Sequence, residues 1–282
     1  MSGYLPPTDM SRPFVAAVLL ESRNYFSNRI REETLLDILE DVSRLRTGAG
    51  VVLFPGGFFD AGRASAHSRR SRIENSVRNK LDDLQRDWVV CLGVDGRGYR
   101  DQLAMAIGKE GILAVARKFH AAPNEQINLA KAPLVAESYF PRIFSFNRIR
   151  YFLAVCYDSF GIRHRRLPNP EVDVVLNLVH QFNPSSERMS NERNFARHGF
   201  AGASRQWNCL VFGSAVFFHR RVSESWPTGV YWDQGDRSTM EWKYNDNAIR
   251  VMESIRKNIP EGEALIRFYD IRDCRAKVNK HE

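Results

Sequence analysis

Short apolar runs, each cut off by glycine, proline or a charge, recur along this chain and predict buried strands. Residues 14–21 form the first, 51–55 the second and 88–94 the third. The second stops at Pro55-Gly56-Gly57, and the third runs into a turn at Asp95-Gly96-Arg97-Gly98. Between them, Ile30, Leu35, Leu36, Ile38, Leu39, Val42 and Leu45 recur at helical spacing, which predicts a helix over 28–45. A second helix is expected over 73–86. The pattern then changes. Residues 101–107 and 112–118 read as a hairpin around Lys109-Glu110-Gly111, and 142–149 with 151–156 as another turning at Asn147-Arg148. Further strands are expected at 172–178, 209–215 (with 216–222 as a continuation), 229–232 and 264–269. Helices are expected at 192–207 and 250–257. Strands thus alternate with helices, then with each other, then with helices again. That order predicts an α/β domain whose strands form two sheets with helices outside.

The domain is expected to span 14–272, between a polar, proline-bearing arm at 1–13 and a polar tail at 273–282. The 282 residues are 43% hydrophobic and 26% charged, enough for a substantial core. Residues 1–13 lack the basic start and apolar middle of a signal peptide, and no apolar stretch is long enough to cross a bilayer. The expected compartment is the cytoplasm. Cys91, Cys156, Cys209 and Cys274 form neither a CxxC pair nor a zinc set, so no metal and no cofactor is expected. Cys91 and Cys209 lie in apolar runs and read as reduced core residues. The net charge of +8 permits an anionic partner. The basic runs at 67–72 and 163–166 lack interleaved aromatics, however, so they read as solvated faces and nucleic-acid binding is not expected.

One stretch concentrates the chemistry. The apolar run 151–155 ends abruptly in Cys156-Tyr157-Asp158. Ligands in layered α/β folds sit where strands end, and a thiol there serves as nucleophile when a neighbour stabilises the thiolate. Read alone, a cysteine beside an apolar run is more often a small buried hydrophobe. Two more segments precede it in order: Phe54-Pro55-Gly56 after the second strand and Arg117-Lys118-Phe119-His120 after the first hairpin. An ammonium such as Lys118 lowers a thiol pKa and stabilises an oxyanion.

Over about 14–271, this ordered set resembles the nitrilase superfamily of carbon–nitrogen hydrolases. Arg117-Lys118-Phe119-His120 is similar to the family's Arg-Lys-x-His segment and Cys156-Tyr157-Asp158 to its Cys-Tyr-Asp segment. Gly98-Tyr99-Arg100-Asp101 is similar to its Tyr-Asn segment. The resemblance implies a four-layer α-β-β-α sandwich, a homodimer and a small-molecule amide as substrate. It implies Cys156 as nucleophile, Lys118 as its supporting cation and Glu125 as a second carboxylate orienting Lys118, with Glu137 as a fallback. Gly56, Tyr157 and Asp60 are the expected binding residues.

The chain departs from the family at one position. The family places its general-base Glu directly after a Phe-Pro-like pair, where this chain has Gly56. Glycine cannot take a thiol proton or activate water. Three readings stand: a base from elsewhere, with Asp60 and His67 nearest in sequence; a catalytically reduced relative that binds a small molecule; or chemistry that stops at a covalent or transfer step. Asp60 also reads simply as a turn or cap residue. Trp226, Trp232 and Trp242, with Phe217-Phe218, read as core packing, a pocket roof or a subunit interface.

Overall fold

The computed structural model describes residues 10–23, 27–123, 125–130, 141–183, 191–232 and 248–271. In chain order the elements begin β1 (Phe14–Ser22), α1 (Asn28–Leu45), β2 (Gly50–Leu53) and β3 (Phe59–Asp60). A 3₁₀ turn, Ala66–Arg69, leads into α2 (Arg70–Asp83), followed by β4 (Trp88–Gly96), β5 (Asp101–Gly108) and β6 (Gly111–Arg117). Next come β7 (Ile143–Phe146), β8 (Ile149–Val155), α3 (Asp158–Arg163) and β9 (Val174–Phe182). Then α4 (Asn191–Asn194) passes through a π-helical turn, Phe195–Phe200, into α5 (Ala201–Trp207). The described chain closes with β10 (Leu210–Phe218), β11 (Gly229–Val230), β12 (Glu253–Ile259) and β13 (Gly262–Asp270).

The strands form one continuous ladder that folds over into two facing layers. One layer runs β6-β5-β4-β2-β1, with β13 antiparallel to β1 and β12 on β13. The other runs β7-β8-β9-β10. They meet at the corner where Leu20, Glu21 and Ser22 of β1 pair in parallel with Val216, Phe217 and Phe218 of β10.

Strand periodicity shows how the layers stack, because alternate side chains point to opposite faces. In β1, Val15 and Ala17 enter one core, while Phe14, Ala16, Val18 and Leu20 enter another. The first of these cores lies between the sheets, where Val51, Leu53, Val89 and Cys91 face Leu153, Val155, Leu176 and Leu178. The second packs the outer face of the first sheet under α1 and α2, through Leu35, Ile38, Leu39, Val42, Ile73, Val77 and Leu81. A third core packs the outer face of the second sheet under α3, the π turn and α5, through Ile162, Phe195, Phe200 and Trp207. Three cores between four layers make an α-β-β-α sandwich. Helix α1 forms because its apolar stripe meets that sheet and Ser27 caps its start by accepting from the Ile30 amide.

Three elements differ from the sequence expectation. Residues 250–257 are not helical: β12 pairs with β13 in antiparallel register, and its exposed residues alternate with its partly buried ones. Tertiary pairing overrides a weak helical pattern there. The strand expected at 172–178 is β9, which continues through Asn177 and His180 to Phe182. Asp95, expected in a turn, belongs to β4 and is 3% exposed. Trp226 and Trp232 are buried in the outer core of the second sheet. Glu137, Trp242, Cys274 and residues 184–190 lie outside the described residues. No described helix is long and apolar enough to cross a membrane.

Candidate active site

Cys156 sits in the turn between β8 and α3, with φ of 50°. Such a left-handed angle is costly for a residue with a Cβ and persists only where neighbours enforce it. Here the Cys156 amide donates to the Leu178 carbonyl at 2.9 Å, and the Cys156 carbonyl accepts from Asn177 Nδ2 at 3.0 Å. Asp158 fixes the next residues. Its fully buried carboxylate accepts the amides of Val155 at 3.0 Å, Phe119 at 2.8 Å and His120 at 2.9 Å. It also pairs with the buried Arg142 at 3.4 Å, and Arg142 in turn donates to the Arg117 carbonyl. This clamp locks the segment carrying Lys118 to the segment carrying Cys156.

Lys118 is 1% exposed, so its ammonium needs partners. Nζ donates to Glu125 Oε2 at 2.6 Å and to Gln102 Oε1 at 3.1 Å, and it lies 5.8 Å from the Tyr157 ring centre. Glu125 also accepts the Ala122 amide at 2.7 Å and Gln102 Nε2 at 2.8 Å. Burial raises the Glu125 pKa, but the bonds from Lys118, Ala122 and Gln102 outweigh it and hold the carboxyl below its usual range.

The space beside Gly56 is filled by His180 from β9. A Cβ on Gly56 would lie 2.6 Å from the Leu178 carbonyl oxygen and 3.0 Å from His180 Nδ1. A Cβ on Gly57, whose φ is +60°, would lie 2.6 Å from Asp95 Oδ2 and 3.0 Å from His180 Cδ2. His180 Nε2 bonds Asp95 Oδ1 at 2.9 Å. Nδ1 has no hydrogen-bond partner among the described residues, and the ring adjoins the Cys156 thiol. Burial lowers the His180 pKa, yet Asp95 and the thiol more than reverse this and push it up to about 10. Burial raises the Cys156 thiol, but the Lys118 charge and then the adjoining His180 ring and amide bring it below the ordinary value. The cluster therefore favours a thiolate flanked by two cations.

No family model matches the sequence, and no curated protein matches it. Solved structures do. An amidase from Nesterenkonia sp. AN1, as a double mutant in complex with acrylamide, shares 12% identity over 99% of each chain with a TM-score of 0.59. Another mutant of that amidase, with the acetamide moiety of fluoroacetamide covalently added at its active-site cysteine, shares 14% identity over 99% of each chain with a TM-score of 0.59. A CN-hydrolase superfamily protein from Xanthomonas campestris, with an arsenic adduct in its active site, shares 15% identity over 73% of this chain and 77% of its own, with a TM-score of 0.51. A further mutant of the Nesterenkonia amidase, described as from the nitrilase superfamily, matches at 14% identity over 99% of each chain with a TM-score of 0.55.

The chain has the nitrilase-superfamily fold.

Within this nitrilase fold the structure brings Cys156, Lys118, Glu125, Tyr157 and Gly56 into one cluster. Asp60 is engaged elsewhere: its carboxylate accepts the Gly62 amide at 2.7 Å, and its backbone is held by the Asn28 side chain, which makes it a turn residue. His67 lies 3.5 Å from an Arg117 guanidinium nitrogen; burial and then the Arg117 charge lower its pKa. Sequence reading missed His180, Asp95 and the Arg142–Asp158 clamp. The signal for the first two was available in strand parity. Leu176 and Leu178 face the inter-sheet core, so His180 is the next inward position on β9. Val89 and Cys91 make Asp95 an inward position on β4 by the same count.

Proposed function

We propose that this protein is a carbon–nitrogen hydrolase that cleaves a non-peptide amide through a thioester on Cys156. One observation carries the reading: a partly exposed thiol, held in a strained strand-to-helix turn, faces a buried ammonium and an imidazole that draw its pKa down. The thiolate attacks the carbonyl carbon, and the Lys118 ammonium is placed to stabilise the oxyanion that forms. Glu125 accepts from Lys118 Nζ and aims it. The amine departs, water attacks the thioester, and the thiolate returns. We propose a cytoplasmic location and a homodimer, the latter tested by light scattering.

The rival reading is a small-molecule binder that keeps the pocket without the chemistry, and it is favoured by the glycine at position 56. An amide panel assayed with intact-mass detection of adducts separates the two. Turnover or a covalent adduct that disappears in Cys156→Ala supports the hydrolase. Turnover that survives in Cys156→Ala removes the nucleophile, and neither turnover nor adduct in the wild type favours the binder.

A further inference from the structure

Building on the proposed Cys156 chemistry, we infer that His180, oriented by Asp95, is the general base and acid of this site. It supplies from β9 what position 56 cannot.

The positions a Cβ would take on Gly56 and Gly57 run into Nδ1, Cε1 and Cδ2 of the His180 ring and into the Asp95 carboxylate. The imidazole therefore occupies the volume a side chain after Phe54-Pro55 would need. Gly56-Gly57 is the cradle of that ring, and a carboxylate at 56 and a histidine at 180 exclude one another. The Asp95 bond engages Nε2 and leaves Nδ1, which has no hydrogen-bond partner among the described residues, as the nitrogen able to exchange a proton with the thiol the ring adjoins. His180 sits on a central strand, its side chain is 18% exposed, and the adjoining backbone holds the nucleophile through the Leu178 carbonyl.

The steps balance. Nδ1 takes the Sγ proton, and the thiolate forms a C–S bond to the amide carbon as the carbonyl π pair moves to oxygen. The oxyanion reforms the carbonyl and the C–N bond breaks, while Nδ1–H protonates the departing nitrogen. In the second half Nδ1 takes a proton from water, the hydroxide adds to the thioester carbon and the C–S bond breaks, releasing the acid and the thiolate. The charged and titratable groups facing the thiol are His180 with Asp95 behind it, Lys118 with Glu125 behind it, and Tyr157.

The test needs no substrate. The rate of Cys156 alkylation by iodoacetamide, followed by peptide mass, is measured against pH in wild type, His180→Gln, Asp95→Asn and Lys118→Met. Wild type should react at a flat rate across neutral pH and slow only in acid. In His180→Gln the inflection should move up toward the ordinary thiol range, with at least a tenfold loss of rate at pH 6, and Asp95→Asn should move it part of the way. An unshifted profile in a His180→Gln protein with native circular dichroism overturns the inference, above all if Lys118→Met alone shifts it. A wild-type Cys156 no faster than a free-cysteine peptide overturns the Cys156 reading instead. Should His180→Gln not fold, ¹⁵N NMR of wild-type His180 decides. An imidazolium that persists at pH 8 and is lost in Cys156→Ser supports the dyad, and a neutral ring at pH 7 in wild type overturns it.

Discussion

Gly56→Ala adds a single methyl group, and the structure says what it meets. The new carbon would lie 2.6 Å from the Leu178 carbonyl oxygen, 3.0 Å from His180 Nδ1 and 3.1 Å from Cε1. The carbonyl cannot yield cheaply, because it accepts the Cys156 amide at 2.9 Å and belongs to a strand paired on both sides. Overpacking of this kind costs about 1–3 kcal/mol. For a chain near this length that is a fall in Tm of roughly 2–12 °C. The strain is transmitted to the nucleophile as well, since the displaced oxygen holds Cys156 in its left-handed turn and the displaced ring faces its thiol. Gly56→Ala should therefore lose both stability and thiol reactivity. Gly56→Glu should lose more of each, and it should not restore hydrolysis in spite of its carboxylate. Thermal melts followed by circular dichroism, with iodoacetamide alkylation of Cys156 at neutral pH, measure the two effects. A Gly56→Ala protein with wild-type Tm and wild-type alkylation refutes the reasoning, because it would mean that neither the carbonyl nor the ring stands where described.

Lys118→Met removes the ammonium beside the thiol and leaves Glu125 without its closest partner. Alkylation of Cys156 at pH 7 should slow, its inflection should move to higher pH, and Glu125→Gln should shift it less. Asp158→Ala strands a buried Arg142 and three amides, so urea unfolding should show a loss of about 3–5 kcal/mol. A loss under about 1 kcal/mol, the worth of one exposed ion pair, would show that the clamp is dispensable. Cys91 and Cys209, whose thiols burial pushes well up, should stay unmodified in the native protein and become reactive only on unfolding.

Much of the layered architecture was legible in the apolar runs, because a buried strand and a helix with one apolar stripe each leave a periodic trace. Lys118 and Cys156 were singled out because their segments, in order, resemble those of the family; each also follows directly on a strand. What failed was strand length. Asn177, His180 and Gln181 interrupt the apolar run of β9, so the strand seemed to end at Leu178 and its last inward residue was lost. Asp95 disappeared into a glycine-rich turn for the same reason. A charged or polar residue at an inward position breaks the very pattern by which strands are recognised, and a site built between sheets needs such residues. The Arg142–Asp158 clamp left no trace of its own, since its partners are brought together only by tertiary folding. The β12 strand carries little contrast, because exposed Ser254, Arg256 and Asn258 alternate with Glu253, Ile255, Lys257 and Ile259, two of which are charged.

The bond from the Gly56 amide to the Val179 carbonyl, 3.0 Å long, crosses from one sheet to the other. Away from the β1–β10 corner and the polar cluster, the facing layers meet through apolar side chains, which can slide or breathe; here backbone is stitched to backbone beside the reactive sulfur. Opening the cluster would mean separating the sheets themselves. In hydrogen–deuterium exchange the amides of Gly56 and Cys156 should accordingly exchange only with the slowest, globally unfolding class, and binding of a ligand should change their rates little. The nucleophile is then a fixed point against which an incoming molecule must be aligned, and the entropy of ordering it has been spent during folding and not at each encounter.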